Sequence, residues 1–306
     1  MITVKQQQYK VFGNCLSIKK DLTEIKVTLD TGPRIIYCSF NHHDNILWED
    51  LHHNFTYTDA NIQKVYGKDA KWYALGGHRL WSSPETSLTY DLDNLPVVYK
   101  RRGNVFTFLG NKQKRAGLQF ELQIDFSNST KIKIQHRIIN VGKKTVTLAP
   151  WAITSFCKNS LAIFRQDHID NGFLPNRHFS LWGYTKTQDH RLFMGNDYVS
   201  LQMDPSPSSQ SFKIGFMSQH AEAVCVVNQT KLKIKFPKQT QAKYPDYGCN
   251  FETYTNNLFL ELEALGGIVA LAPKKQTTLW EEWYLSEHKT KIVPRDEKSL
   301  AKAFHA

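Results

Sequence analysis

The 306-residue chain lacks any apolar run near the roughly 18 residues a membrane helix requires. Its opening stretch, MITVKQQQYKVFG, has no apolar signal-peptide core. The five cysteines, Cys15, Cys38, Cys157, Cys225 and Cys249, are odd in number, scattered and free of CxxC spacing, which suggests neither a disulfide framework nor a zinc cluster. The expectation is a cytoplasmic protein with reduced thiols and no membrane partner. GxGxxG, P-loop and HExxH patterns are missing too, as is a serine nucleophile elbow, so no nucleotide cofactor is implied. The His42-His43 and His52-His53 pairs are sequential neighbours, which on a strand point to opposite faces. The reading is therefore no metal and no cofactor.

Charge is present in excess of one sign, at +11. Such a balance could favour nucleic acid or an anionic small molecule. In TKIKIQHRI and TKLKIKF, however, lysines alternate with Ile, Leu and Phe, the pattern of the wet face of a half-buried strand. No nucleic-acid-binding motif accompanies the charge, so that class is not favoured. Apolar residues at 41% with aromatics at 12% suffice for a sizeable core, and mixed charges at 22% argue against disorder.

Period-two alternation dominates. GLQFELQIDF places Leu118, Phe120, Leu122, Ile124 and Phe126 on one face, and EIKVTLD does the same with Ile25, Val27 and Leu29. TKIKIQHRIINV puts Ile132, Ile134 and Ile138 on one face together with His136. Many short strands punctuated by Gly, Asn, Asp and Pro predict an all-β, mostly antiparallel sandwich or barrel. DPSPSSQS (204–211) is the best linker candidate, but similar strands lie on both sides, so a single domain over 1–306 is expected. The spacing of Leu300 and Phe304 predicts a short amphipathic helix starting near Asp296 within the basic tail 286–306.

Several polar clusters can carry chemistry. YALGGHRLWSSPE follows a Gly-Gly pair with His78, Arg79 and Trp81, an indole platform with hydrogen-bonding groups beside it or a loop that packs its Trp. The glycine pair is expected to turn His78 and Arg79 into a hollow walled by Trp81. In CNFETYTN, Asn250, Glu252 and Tyr254 share one strand face, giving a carboxylate flanked by an amide and a phenol. In LFLELEAL, Glu261 and Glu263 share the face opposite Leu260 and Leu262. Carboxylates two apart on a strand sit about 6.5–7 Å apart, a glycosidase-like separation that any exposed strand of this kind would also give. LAPWAITSF offers Trp151, and FLPNRHFSLWGYTK offers Arg177, His178, Trp182, Tyr184 and Lys186. Rings with interleaved donors suit saccharides, and Arg177 and Lys186 would suit an anionic one.

Taken together, VTLDTGPRIIYCSF, GGHRLWSSPE, LAPWAIT, FLPNRHFSLWGYT, YPDYGCNFETYTN and LEALGGIVALAPKKQTTLWEEWYL resemble an uncharacterised bacterial family of galactose-mutarotase-like proteins, over about residues 14–285. The resemblance implies a large antiparallel β-supersandwich that binds carbohydrate, free or phosphorylated, on a concave sheet face. Aldose 1-epimerases of this type interconvert anomers by acid/base ring opening: a glutamate takes the proton of the anomeric hydroxyl while a histidine protonates the ring oxygen. By similarity Glu252 would be the base and Arg79 a sugar-binding group; the residues themselves add Trp81, Trp151, Asn250 and Tyr254 as substrate-binding groups, with Arg177 and Lys186 for an anionic sugar. The histidine-bearing segment of those enzymes corresponds here to LAPWAITSF, which has none, so His78 is the acid the motifs suggest. Non-catalytic sugar binding, as a sensor or accessory subunit, is the alternative. The sequence carries no signal for an oligomeric state.

Overall fold

A computed structural model describes residues 2–166, 170–239 and 241–305. Among these residues two large antiparallel sheets, of eleven and ten strands, sandwich the core; Thr56–Tyr57 and Trp72–Tyr73 form a separate short ribbon. In the front sheet the strands that matter for function run, in hydrogen-bonded order, His78–Ser83, Val146–Phe156, Leu260–Leu265, Phe251–Thr255 and Phe212–Phe216. The middle of the rear sheet runs Ser160–Arg165, Glu222–Val227, Thr230–Lys235, Gln276–Glu287, Ile132–Asn140 and Leu118–Asp125.

The period-two pattern assigns faces as expected. Ile25, Val27, Ala152, Phe212, Ile214, Phe251 and Leu262 of the front sheet meet Phe106, Leu122, Ile124, Ile134, Leu279 and Trp283 of the rear sheet in one continuous core. Each Val, Leu, Ile or Phe among these that is removed from water contributes about 1.5–3 kcal/mol, which is why a one-residue slip in register is strongly disfavoured. The linker candidate 204–211 is a connection between strands Tyr198–Gln202 and Phe212–Phe216, passing from the rear sheet to the front.

Two α-helices accompany the sheets among the described residues. Glu297–His305 fulfils the amphipathic expectation, pressing Leu300, Ala303 and Phe304 onto Leu161, Ile163, Val224 and Val226 on the outer face of the rear sheet. This corrects the reading of TKLKIKF as a wholly wet face. Lys231 is buried beneath the helix, where its ammonium donates to the Ala303 carbonyl at 3.4 Å, and the Lys233 ammonium lies 4.6 Å from the Phe304 ring centre. Lys133 on the neighbouring stretch is exposed, as alternation predicts. The helix Ala60–Tyr66 was not foreseen; Asp59 caps it by accepting from the Ile62 N–H at 2.7 Å.

Candidate functional site

Antiparallel register lines up three rows of side chains across the outer face of the front sheet. Arg79, Ile153, Glu263, Glu252 and Gly215 form one row; Trp81, Trp151 and Leu265 form the next; Ser155, Glu261, Tyr254 and Lys213 form a third. Residues far apart in sequence thus meet because strand partners sit directly opposite and share a face. Trp72 from the short ribbon adds a second indole 5.2 Å from Trp81, and Tyr90 stands edge-on to both. The Arg79 guanidinium lies over Trp81 at 4.3 Å and Trp72 at 5.1 Å from the ring centres. This pairing of a planar cation with indole faces holds the Arg79 side chain flat against the aromatic wall.

Lys213 organises the acidic part. Its ammonium is 2.8 Å from Glu252 Oε2 and 2.8 Å from Glu263 Oε2, and it lies 4.5 and 4.7 Å from the ring centres of Trp151 and Trp182. Glu263 Oε2 also accepts from Trp151 Nε1 at 2.9 Å, while Ser155 Oγ donates to Glu261 Oε1 at 2.7 Å. Gly215 makes the room: a Cβ there would stand 2.7 Å from Cys249 Sγ and 3.3 Å from Glu252 Cγ. The strand therefore needs glycine opposite the carboxylate on steric grounds.

Burial, reinforced by the charge of Glu263, pushes Glu252 up to about 8, although Lys213 pulls the other way. Burial and the same neighbour push Glu261 up to about 7 against the pull of Arg79 and Ser155. For Lys213 burial works to lower the pKa, but Glu263 and Glu252 outweigh it and hold the ammonium charged well above the usual lysine range. The Lys213 ammonium holds Glu252 Oε2 at 2.8 Å, whereas Glu252 Oε1 is buried with no hydrogen-bond partner. Glu263 Oε1, Arg79 Nη1, Trp81 Nε1 and Trp72 Nε1 are in the same condition. Buried polar atoms are nearly always paired, so a group of unpaired donors and acceptors across one aromatic-walled face suits a ligand that both donates and accepts. Glu252 is fully shielded, but Arg79, Glu261, Tyr254 and Trp182 are only partly buried and reach water.

The sequence-predicted residues divide. Arg79, Trp81, Trp151, Glu252 and Tyr254 share the outer face of the front sheet. His78 does not. It is a strand neighbour of Arg79 and so points the opposite way, into the interior between the sheets, with 0% exposure. There its Nδ1 is 2.9 Å from Thr154 Oγ1 and its Nε2 is 2.9 Å from His136 Nε2. Burial, then the adjacent His136, takes its pKa well below the usual imidazole range. It cannot protonate a ligand held by Glu252 from the other side of the sheet. The glycine pair serves a different purpose from the one expected. With φ of +86° and +73°, Gly76 and Gly77 let the chain press on the Trp48 and Ile35 carbonyls, each 2.3 Å from where a Cβ would stand.

Asn250 is committed to the main chain of Ser218, accepting from its N–H at 2.6 Å and donating to its carbonyl at 2.9 Å, so it braces a turn. Tyr254 OH pairs with Ser211 Oγ at 2.8 Å on the rim of the face. Arg177 is exposed and donates to Gln166 Oε1 at 3.4 Å, lining a cleft with Phe164, Phe216 and Ser218. Lys186 is exposed on the loop that follows Trp182. The two cations expected to hold an anionic sugar therefore do not join the buried cluster, where three carboxyl groups face Lys213 and Arg79. Lys213 was missed from sequence, although a lone lysine in the apolar run SFKIGFM was a usable signal. Glu263 was noticed only as half of a carboxylate pair.

No family model matches the chain, and no curated protein matches it in sequence. Solved structures match it in shape. A galactose mutarotase-like protein from Clostridium acetobutylicum superposes with a TM-score of 0.54 at 11% identity, covering 94% of this chain and 99% of that one. Another galactose mutarotase-like protein, from Lactobacillus casei, gives 0.54 at 8% identity, covering 89% and 100%. A TPR-domain containing protein from Parabacteroides distasonis gives 0.60 at 10% identity over 91% of this chain and 48% of that one, so this chain spans about half its length. Identities this low carry architecture and not chemistry. With its two facing antiparallel sheets and this set of structural neighbours, the chain has the galactose mutarotase-like β-sandwich fold.

Proposed function

We propose that the outer face of the front sheet binds a neutral monosaccharide. The observation that carries this reading is the set of unpaired buried polar atoms on Glu252, Glu263, Arg79, Trp81 and Trp72, set among indole rings. A sugar presents C–H faces that stack on such rings and hydroxyls that donate to carboxyl oxygens and accept from guanidinium and indole N–H groups. The exposed cations expected to hold a phosphate, Arg177 and Lys186, lie outside the cluster, which favours an uncharged sugar over a phosphorylated one. Sharing a fold with galactose mutarotase-like proteins supports the class of ligand by analogy.

Anomer interconversion is the second reading, and one observation favours it. Glu252 and Glu261 are both pushed into the neutral range, to about 8 and about 7, where a carboxyl group can give or take a proton. The reaction would proceed with one carboxylate accepting the anomeric hydroxyl proton and a protonated partner donating to the ring oxygen. In this reading Glu261 takes the role expected of the imidazole. Lys213, held charged between two carboxyl groups, is a poor acid and serves to position Glu252 and Glu263.

Titration of a panel of free aldoses, followed by tryptophan fluorescence and calorimetry, tests binding; exchange NMR on the bound sugars tests turnover. Saturable binding that is lost in Arg79→Ala and Trp81→Ala supports the site, and undiminished binding in both variants removes it. Anomer exchange above the buffer rate that disappears in Glu252→Gln and Glu261→Gln supports the second reading. Binding with exchange at the buffer rate leaves the protein a sugar binder.

A further inference from the structure

Between the two sheets, away from the face just described, three buried side chains converge on one point. We propose that His78, His136 and Glu281 bind a first-row divalent metal ion, with zinc the best match, and that this ion ties the two sheets together. His78 Nε2 is 2.9 Å from His136 Nε2, His78 Nε2 is 3.4 Å from Glu281 Oε2, and His136 Nε2 is 3.9 Å from the same oxygen. The point equidistant from the corners of such a triangle lies about 2.0 Å from each, and zinc bonds imidazole nitrogen and carboxylate oxygen at roughly 2.0–2.2 Å. The triangle therefore has the size of a metal coordination sphere.

A plain hydrogen bond between the two histidines explains less. It uses one proton along one edge and leaves the Glu281 carboxylate at the third corner, 1% exposed, with Trp283 Nε1 donating to Oε2 at 3.2 Å. A divalent cation satisfies all three corners and neutralises the buried carboxylate. The surroundings also hold His78 in place. Thr154 Oγ1 at His78 Nδ1 fixes the ring so that Nε2 faces the centre, and the Trp283 indole packs edge-on to His78 with centres 4.8 Å apart. Metal-ligating histidines are commonly oriented through their other nitrogen in this way.

His78 comes from the front sheet, whereas His136 and Glu281 come from adjacent rear strands in diagonal register, His136 opposite Leu279 and Ile134 opposite Glu281. All three ligands are essentially inaccessible to solvent, so the ion is a staple and not a reaction centre. The expectation of no metal rested on local spacing such as HExxH. This site is assembled from three strands far apart in sequence, so only His136 on an apolar face hinted at it.

The test uses the full chain, unfolded in guanidinium with chelator and refolded with or without zinc or cobalt. The expected result is about one zinc retained per chain after gel filtration and a higher Tm than the chelated form. X-ray absorption of the zinc-loaded parent should show a nitrogen/oxygen shell with imidazole scattering and no sulfur. His136→Asn and Glu281→Gln should each lower retained metal at least about tenfold, since even the loss of a group that only orients a ligand typically costs that much. Trace metal only in the folded parent, a sulfur shell, or retention unchanged in variants that fold would overturn the proposal. If the variants do not fold, the stoichiometry and absorption spectrum of the parent decide it.

Discussion

Replacing Glu252 with glutamine should make the protein less sensitive to alkaline pH. In the folded chain Glu252 is raised to about 8 from an ordinary value of 4.5, chiefly because burial penalises its charged form. The sign follows directly. A carboxyl whose pKa is raised on folding binds protons more tightly in the folded state, so its unfavourable contribution is absent below about pH 4.5. It grows through the interval and levels off above about pH 8. Between pH 5 and pH 8 this single group should cost the parent about 3 kcal/mol, a figure good only to order of magnitude. Glutamine keeps the shape and has no proton to lose, and Lys213 retains Glu263 as its partner at 2.8 Å. Urea unfolding of parent and Glu252→Gln at pH 5, 7 and 8 checks this. The variant should gain on the parent steadily across the series. A difference that stays flat with pH, or one in which the parent gains, would refute the reasoning that Glu252 is buried and held mostly protonated at neutral pH.

Other outcomes follow from the same geometry. Lys213→Met removes the cation between two buried carboxyl groups and should cost about 3–5 kcal/mol, the scale for breaking a buried ion pair, measured by urea midpoint at pH 7. Gly215→Ala should weaken sugar binding more than tenfold, because a methyl would stand 3.3 Å from Glu252 Cγ and 2.7 Å from Cys249 Sγ; unchanged affinity by calorimetry would show that this part of the face is not used. Phe304→Ala should release the helix Glu297–His305 from the rear sheet at a cost of about 3–5 kcal/mol, and amide exchange should quicken in that helix while the strand Phe251–Thr255 stays protected.

Much of the fold was legible because strand faces follow from alternation alone. Ile25, Val27, Leu122, Ile124 and Ile134 all lie in the core that their period predicted, and Leu300 with Phe304 marked the last helix correctly. What alternation could not give was the covering of a face by another element, which is how Lys231 came to be buried under Ala303. The helix Ala60–Tyr66 is short, and its start depends on a single Asp59 cap, too little for a periodic signal.

The candidate site was half legible for the same reason. Alternation placed Glu252 with Tyr254, and Glu261 with Glu263, on shared faces, and these faces join. The error at His78 came from reading a motif as a unit. Gly-Gly-His-Arg on its own suggests both side chains aimed into one hollow, whereas a strand beginning at His78 sends His78 and Arg79 to opposite faces. Lys213 could be placed only through cross-strand register, which ties it to Tyr254 and through that strand to Glu252. Register between distant strands is set by the packed core, and no local stretch of sequence encodes it.

The most direct measurement of the central claim is calorimetric titration of the refolded full chain with neutral aldoses, repeated with Arg79→Ala and Glu252→Gln. Saturable binding of at least one monosaccharide, weakened at least tenfold in each variant that remains folded, is the predicted result. Absence of binding across the panel, or affinity indifferent to both substitutions, would contradict the assignment of the outer face of the front sheet as a sugar site.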